Sequence, residues 1–425
     1  MDALRIRGGK RLKGEWTVQN AKNAALPIMA GAILTEGKTI LRDCPRLSDI
    51  SDMGEILRTL GCGVHRDGGT LEIDPGGLCG YEMPEELSKR IRSSIFLLGP
   101  ILARFRRANV SLPGGCEIGL RPIDLHLSGL RQLGVQMEEE GGVIRCDGRN
   151  MHPATVHFDY PSVGATENVM MAAALLRGET VLNNVAREPE ILDLQRFLNA
   201  MGAKITGAGT NSIRVQGVSR LTCVEYRPMP DRIAAGTLLA AAAVTGGSVR
   251  LRNVPVEEML AVIAKLEEMG CVISRQENFL TLHGPERLSA FAQLQTQPHP
   301  GFPTDMQAQM MAIASLAKGT SVVVENVFEN RFAHAGDLNR MGANILINGR
   351  TAVIRGVERL SGARVTARDL RGGAALAIAG LAAQGETIVE RARLIDRGYE
   401  SLETALTHLG ADVQRISVER GEEHP

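Results

Sequence analysis

Cys116 stands in the run Ser111-Leu-Pro-Gly-Gly-Cys-Glu-Ile-Gly-Leu-Arg121-Pro122. Three glycines and two prolines in so short a run make a turn-forming stretch able to swing as a lid. A thiol at its tip, with Arg121 nearby, is a candidate for acid or nucleophilic work, because a neighbouring cation stabilises the thiolate. The plainer alternative is one more small buried residue. Cations form the second set: Lys22, Arg92, Arg121, Arg232, Arg371 and Arg397. Several stand just ahead of apolar helical stretches, where free backbone N–H groups and the helix dipole already favour an anion. Asp305, after Pro303-Thr304, reads either as a helix N-cap or as a general base. His126 reads either as a ligand contact or as a local structural hydrogen bond. Spacing does not choose within either pair.

The elements that must hold these residues form an internal repeat. A helix rich in small residues leads through a Gly turn into an apolar strand. A second, amphipathic helix follows and ends in Leu-Gly or Met-Gly, and short strands close the unit. The glycine of that ending falls at 61, 134, 202, 270, 342 and 410, at spacings of 73, 68, 68, 72 and 68 residues. The strand segments are β-branched: Thr39-Ile-Leu, Val181-Leu, Val249-Arg-Leu, Val322-Val-Val and Thr387-Ile-Val. A period near 70 is long for a solenoid, so compact grouping is expected. Six copies split into two groups of three, with Arg227-Pro-Met-Pro230 at the crossing. The expectation is two similar α/β domains with a ligand cleft between them. The slots ahead of the first helices recur as Lys22, Arg92, Ser162 to Thr166, Asp231-Arg232, Phe302 to Asp305, and Arg371.

Composition narrows the function. Of 425 residues, 48 are Lys or Arg and 48 are Asp or Glu, a net charge of zero. That argues against a dedicated nucleic-acid or anionic-membrane binder. Aromatic residues at 3% leave few platforms for base stacking and call for an aliphatic core. No apolar run is long enough for a membrane helix, the Ala-rich stretch 372–385 included, and the N-terminus lacks the apolar region of a signal peptide. Seven widely spaced cysteines without a CxxC pair suggest neither a disulfide framework nor a zinc site. Neither a P-loop nor a strand-linked GxGxxG is present, so ATP and dinucleotide use are not indicated. The expectation is a cytoplasmic enzyme without metal or cofactor, acting on small molecules rather than on nucleic acid or membrane.

The residues also resemble a known family, the UDP-N-acetylglucosamine enolpyruvyl transferases. The matching segments are AKNAALPI at 21–28, SLPGGCEIGLRPIDLH at 111–126, SVGAT at 162–166 and AREPEI at 186–191. MPDRI at 229–233, FPTDMQAQ at 302–309, VFENRF at 327–332, DLR at 369–371 and IDRGYE at 395–400 complete the set. The resemblance implies two domains, each of three βαβαββ units, residues 22–229 and residues 1–21 plus 230–425, with the lid loop at 111–122 and the active site in the cleft. It implies transfer of the enolpyruvyl group of phosphoenolpyruvate to the 3′-hydroxyl of UDP-N-acetylglucosamine, with release of phosphate, in bacterial peptidoglycan synthesis. Cys116 would be the general acid and the target of fosfomycin. Lys22, Asn23, Arg121 and Arg397 would bind phosphoenolpyruvate, and Asp305 would be the base at the sugar hydroxyl. Asn23, Arg92, Arg121, Pro122, Asp124, Leu125, Ser162, Val163, Gly164, Asp305 and Val327 would contact the nucleotide sugar. Asp231, Arg232, Asp369 and Arg371 would support the reacting centre. In one departure, Tyr160 stands where some relatives carry lysine, which removes one charged contact to the diphosphate. Three rivals remain: a shikimate-phosphate enolpyruvyl transferase, a non-catalytic paralogue, and an anion-binding repeat protein.

Overall fold

The computed structural model describes residues 2–111 and 123–418; Cys116, Arg121 and Pro122 lie outside them. The described residues form two compact units, one of 20–111 and 123–229, the other of 2–19 and 230–418. Each unit has its own aliphatic core and, among the described residues, three small sheets.

One copy shows how the sequence builds the repeat. The short strand Thr155–His157 leads into helix Val163–Ala173, then strand Gly178–Asn183 and helix Pro189–Ala200. The strands Lys204–Thr206 and Ser212–Gly217 close it. Gly178–Asn183 pairs antiparallel with Ser212–Gly217 and parallel with Thr155–His157, Leu182 standing opposite Val156. This is a βαβαββ unit, and its leading strand has no counterpart in the periodicity of the sequence. Three residues are too few for a period-two pattern to show. In the copy containing Arg107–Ser111 that position is held only by an isolated parallel bridge between Glu82 and Asn109.

Two leading strands come from distant places in the chain, the first of them within the segment 1–21 that the resemblance assigns to the second domain. Lys13–Thr17 pairs parallel with Ser248–Arg252, although the helix that follows it in sequence, Lys22–Gly31, lies in the other unit. Glu225–Tyr226 pairs parallel with Thr39–Leu41, although the helix that follows it is Arg232–Val244. The chain thus exchanges first strands between its halves. Strand Asp2–Arg7 inserts antiparallel between Glu386–Glu390 and Asp412–Ser417.

The helices are of two kinds. Ser48–Thr59 and Pro189–Ala200 bury one face, as their spacing of apolar residues requires. Val163–Ala173, Arg232–Val244, Gln307–Ala314 and Leu370–Ala382 are buried almost throughout. Their Ala, Gly and Met side chains let neighbours approach closely. A Cβ at Gly99 would stand 2.1 Å from the Asn168 carbonyl oxygen.

The six repeated glycines share one geometry. Their φ angles run from +90° to +101°, a region that costs any other residue a Cβ clash. Each ends its helix by a pair of backbone hydrogen bonds, Gly61 N–H to Arg58 and Cys62 N–H to Leu57 in the first copy, and Gly410 to Thr407 with Ala411 to Leu406 in the last. This is the Schellman arrangement, and it turns the chain into the closing strands.

Two stability predictions follow from this packing. At Gly342 an added Cβ has open space, but φ is +97°, so Gly342→Ala should cost about 1–2 kcal/mol. At Gly356 the Cβ would fall 1.6 Å from the Ala317 carbonyl oxygen, so Gly356→Ala should cost clearly more; equal losses in urea unfolding would refute this account. Glu167 is fully buried and neither carboxylate oxygen has a partner. Burial, with the charges of Glu190 and Glu188 adding to it, holds its carboxyl well above the ordinary range. The folded state therefore keeps this proton to higher pH than the unfolded chain, and the stability it brings is full at low pH and lost as pH rises. Glutamine imitates the protonated acid, so Glu167→Gln should raise the melting temperature more at pH 8 than at pH 5.

Candidate active site

The inner helices begin at the recurring slots. Lys22 opens Lys22–Gly31. Arg92 opens the 3₁₀ turn Arg92–Leu97 that runs into Leu98–Phe105. Ser162 caps Val163–Ala173, its hydroxyl accepting from the Ala165 N–H. Asp231 caps Arg232–Val244 through the N–H groups of Ile233 and Ala234, and Asp369 caps Leu370–Ala382 through those of Arg371 and Gly372. The all-round burial of these helices leaves their N-terminal ends as the places where polar groups can be presented.

Asp305 does not cap a helix. Pro303 holds the cap position, without a side-chain bond, and Asp305 sits within the 3₁₀ turn Thr304–Met306 that leads into Gln307–Ala314. Its carboxylate is gripped from two sides. Oδ1 accepts from Arg331 at 2.7 Å, and Oδ2 accepts from Arg371 at 2.9 and 3.3 Å. Both guanidinium side chains are 4% exposed, against 25% for Asp305. The acid is therefore the member of the cluster that faces outward. Burial works to raise its pKa, but Arg371 and Arg331 outweigh it and hold the carboxyl well below the ordinary range.

A second carboxylate braces this cluster. Glu325, almost wholly buried, accepts from the Val327 and Phe328 N–H groups and from the hydroxyls of Thr296 and Thr304. Arg331 also donates to the Thr304 hydroxyl at 3.2 Å. The turn bearing Val327 and the turn bearing Asp305 are thereby tied to one buried group. Arg371 further lies over the Tyr399 ring, 5.3 Å from its centroid. The Tyr399 hydroxyl meets Thr237 Oγ1 at 2.9 Å and accepts from Gln309 at 3.3 Å. Gln19 grips the backbone on either side of Tyr399, donating to the Gly398 carbonyl and accepting from the Glu400 N–H. That bond pair fixes the turn directly after Arg397, which closes the 3₁₀ segment Ala392–Arg397.

In the other unit, Lys22 is buried and pairs with Asp49, Nζ to Oδ2 at 3.1 Å. Asn23 beside it is exposed, as is Asp124, while Arg92, Leu125, Ser162, Val163 and Gly164 are half-buried. His126 is buried, and its Nδ1 lies 3.0 Å from the Asn168 amide nitrogen. Of its two readings, the local hydrogen bond is what the geometry contains. Burial, with Arg92 adding to it, pushes the imidazole down to about 3, so it is neutral near pH 7. Tyr160 is exposed. Arg232 is buried and Arg397 and Val327 are half-buried. Among the described residues, no group of three or more His, Cys, Asp or Glu is placed to hold a metal ion, and no helix is long and apolar enough to cross a membrane.

Asp49, Gln19, Glu325 and Arg331 escaped the sequence reading. Arg331 alone carried a signal, since it stands inside the VFENRF segment. Asp49 acts on Lys22 from 27 positions away and Gln19 on Glu400 from 381, where spacing holds no information, and Glu325 ties its own turn to the hydroxyls of Thr304 and Thr296, 21 and 29 positions back.

Known proteins place the chain. The family model for EPSP synthase (3-phosphoshikimate 1-carboxyvinyltransferase) matches residues 6–406. The UDP-N-acetylglucosamine 1-carboxyvinyltransferase 2 of Caldanaerobacter subterraneus subsp. tengcongensis is 51% identical over 98% of this chain and 100% of its own. The UDP-N-acetylglucosamine 1-carboxyvinyltransferase of Myxococcus xanthus is 50% identical over 98% and 99%. Among solved structures, the enolpyruvyl transferase NikO from Streptomyces tendae superposes with a TM-score of 0.89 at 24% identity, covering 98% of this chain and 99% of its own. That likeness shows the fold, and the two closer relatives show the rest: this chain belongs to the UDP-N-acetylglucosamine 1-carboxyvinyltransferase family of enolpyruvyl transferases.

Proposed function

We propose that this chain moves the enolpyruvyl group of phosphoenolpyruvate onto the 3′-hydroxyl of UDP-N-acetylglucosamine and releases phosphate, the first committed step of peptidoglycan synthesis. The observation that carries the proposal is the full-length kinship with enzymes named for this activity. The sister reaction, with shikimate 3-phosphate as acceptor, shares the fold and gives the matching family model its name. The Cys-bearing Pro-Gly-Gly-Cys run and the segment Arg121 to His126 speak for the nucleotide sugar.

The roles proposed for single residues are these. Cys116 delivers a proton to C3 of phosphoenolpyruvate while the sugar oxygen bonds to C2. Asp305 takes the hydroxyl proton. The tetrahedral ketal then loses a proton from C3 and expels phosphate, leaving the enol ether. Lys22, Arg121 and Arg397 meet the phosphate and carboxylate, a double anion that needs several cations. Arg92, Pro122, Asp124, Leu125, Ser162, Val163, Gly164 and Val327 contact the nucleotide sugar, with Asn23 beside the reacting hydroxyl. Asp231, Arg232, Asp369 and Arg371 support the centre.

The surroundings of Asp305 suit such a task. Two guanidiniums keep it ionised at any working pH, so it is always ready to accept. They also make it a weak base, so the proton moves as the C–O bond forms and the hydroxyl acidifies. Asp49 holds the Lys22 ammonium in one place, which spares the substrate that ordering step.

Phosphate release should occur with UDP-N-acetylglucosamine and not with shikimate 3-phosphate; the reverse preference would overturn the assignment. Cys116→Ala should lose turnover by at least about a hundredfold, in keeping with loss of a general acid, with an unchanged melting temperature. Fosfomycin should add one equivalent, at Cys116, by intact mass and peptide mapping; an adduct on another cysteine would overturn the role of that thiol. Arg331→Met removes a cation from Asp305, which favours the neutral acid and raises its pKa. Protonation of Asp305 should then approach the working range from the acid side, so kcat/KM of the variant relative to wild type should fall as pH is lowered, and a ratio that rises as pH falls would sink the base assignment.

A further inference from the structure

Asn168 lies in the middle of helix Val163–Ala173, fully buried. A buried amide is retained at a cost unless its hydrogen bonds are made. Here the backbone leaves the amide one orientation. Its oxygen accepts from the Gly99 N–H, and its nitrogen donates to the Ile95 carbonyl at 2.7 Å. The first partner can only donate and the second can only accept, so oxygen and nitrogen cannot be exchanged. The second N–H of the same nitrogen then points to His126 Nδ1 at 3.0 Å. His126 must accept there, so its proton resides on Nε2. That atom faces the start of helix Val163–Ala173: a Cβ built on Gly164 would lie 3.1 Å from His126 Nε2 and 3.0 Å from the Phe96 ring.

We infer that Asn168 is a positioning residue for the nucleotide-sugar subsite, acting by locking His126 as the Nε2–H tautomer and by binding three chain segments into one body. The segments are the turn from Arg92 to Gly99, the start of helix Asp124–Gln132, and the start of helix Val163–Ala173. They carry Arg92, Asp124, Leu125, Ser162, Val163 and Gly164. Burial supports the lock from a second side, since a neutral imidazole keeps one donor and one acceptor throughout the working range. The inference rests on the proposed function for the identity of the ligand; the lock itself does not.

The test uses the full chain. Asn168→Asp keeps size and the acceptor for Gly99 but loses the amide's paired donors to Ile95 and His126. It should raise KM for UDP-N-acetylglucosamine by at least about tenfold, since each buried hydrogen bond lost is on that scale, with KM for phosphoenolpyruvate and kcat within about threefold. His126→Gln, which keeps an acceptor and a donor, should stay near wild type, and His126→Phe should repeat the Asn168→Asp pattern. Nitrogen-15 histidine spectra of the wild type should show a protonated Nε2 and a bare Nδ1, unchanged from about pH 5.5 to 8.5. Equal rises in both KM values, a lowered melting temperature with unchanged kinetics, or a proton on Nδ1 would each overturn the inference. A wild type that releases no phosphate with the nucleotide sugar would overturn the functional reading and the subsite role together, while the histidine spectrum would still report whether the lock exists.

Discussion

The inner helices are buried on nearly every side, and that constraint governs the rest. Leu370–Ala382 has almost no face left for water, and it packs against the inner helices Gln307–Ala314 and Arg232–Val244 as well as against strands. Small side chains make the crowding possible and also set its tolerance, as the contact of Gly99 with Asn168 shows. A helix so enclosed offers chemistry only through its ends. Its N-terminal N–H groups need partners, and caps such as Asp231 and Asp369 supply them. The concentration of polar side chains at these ends is thus a consequence of packing before it is a matter of catalysis.

Charge is handled differently at the two best-defined clusters. Lys22 and Asp49 form a simple buried pair. Such a pair brings little net stability, because desolvation of both ions offsets most of their attraction, but either member alone would be strongly unfavourable. Their value is in fixing position. Asp305 stands instead between two guanidiniums that are themselves more buried than it is. The cluster carries a net positive charge, and its carboxylate is the member that water can reach. Tyr399 joins three helices through Thr237, Gln309 and Arg371.

Much of the fold was legible in the sequence. The spacing of the Leu-Gly and Met-Gly endings announces six copies, because only glycine readily takes a φ near +95° after a helix. The β-branched runs at Thr39, Val249, Val322 and Thr387 fall in strands. The leading parallel strands were not legible from periodicity, being as short as the two residues Glu225–Tyr226. Their exchange between the halves of the chain was hidden from local pattern too, since the partner of Lys13–Thr17 lies more than 200 residues away. At the candidate site, Ser162 and Asp231 entered as recurring slots and Asp369 through the family segments, and each is a helix cap in the structure, whereas Asp305, for which a cap was one reading, is not. Asp305 was visible as a candidate but not as a clamped anion.

The amino-acid order by itself therefore determined what depends on nearby residues: the repeat, the turns that end each helix, the caps, and which helices must be buried. Tertiary structure decided what depends on distant ones. It set the low affinity of Asp305 for a proton, because Arg331 and Arg371 reach it from 26 and 66 positions away. It also paired Lys22 with Asp49 and settled on which nitrogen His126 carries its proton, through an amide 42 residues further along. The reason is physical: hydrogen bonding within a turn or helix acts over three or four residues, whereas electrostatics and packing act between whatever the fold brings together.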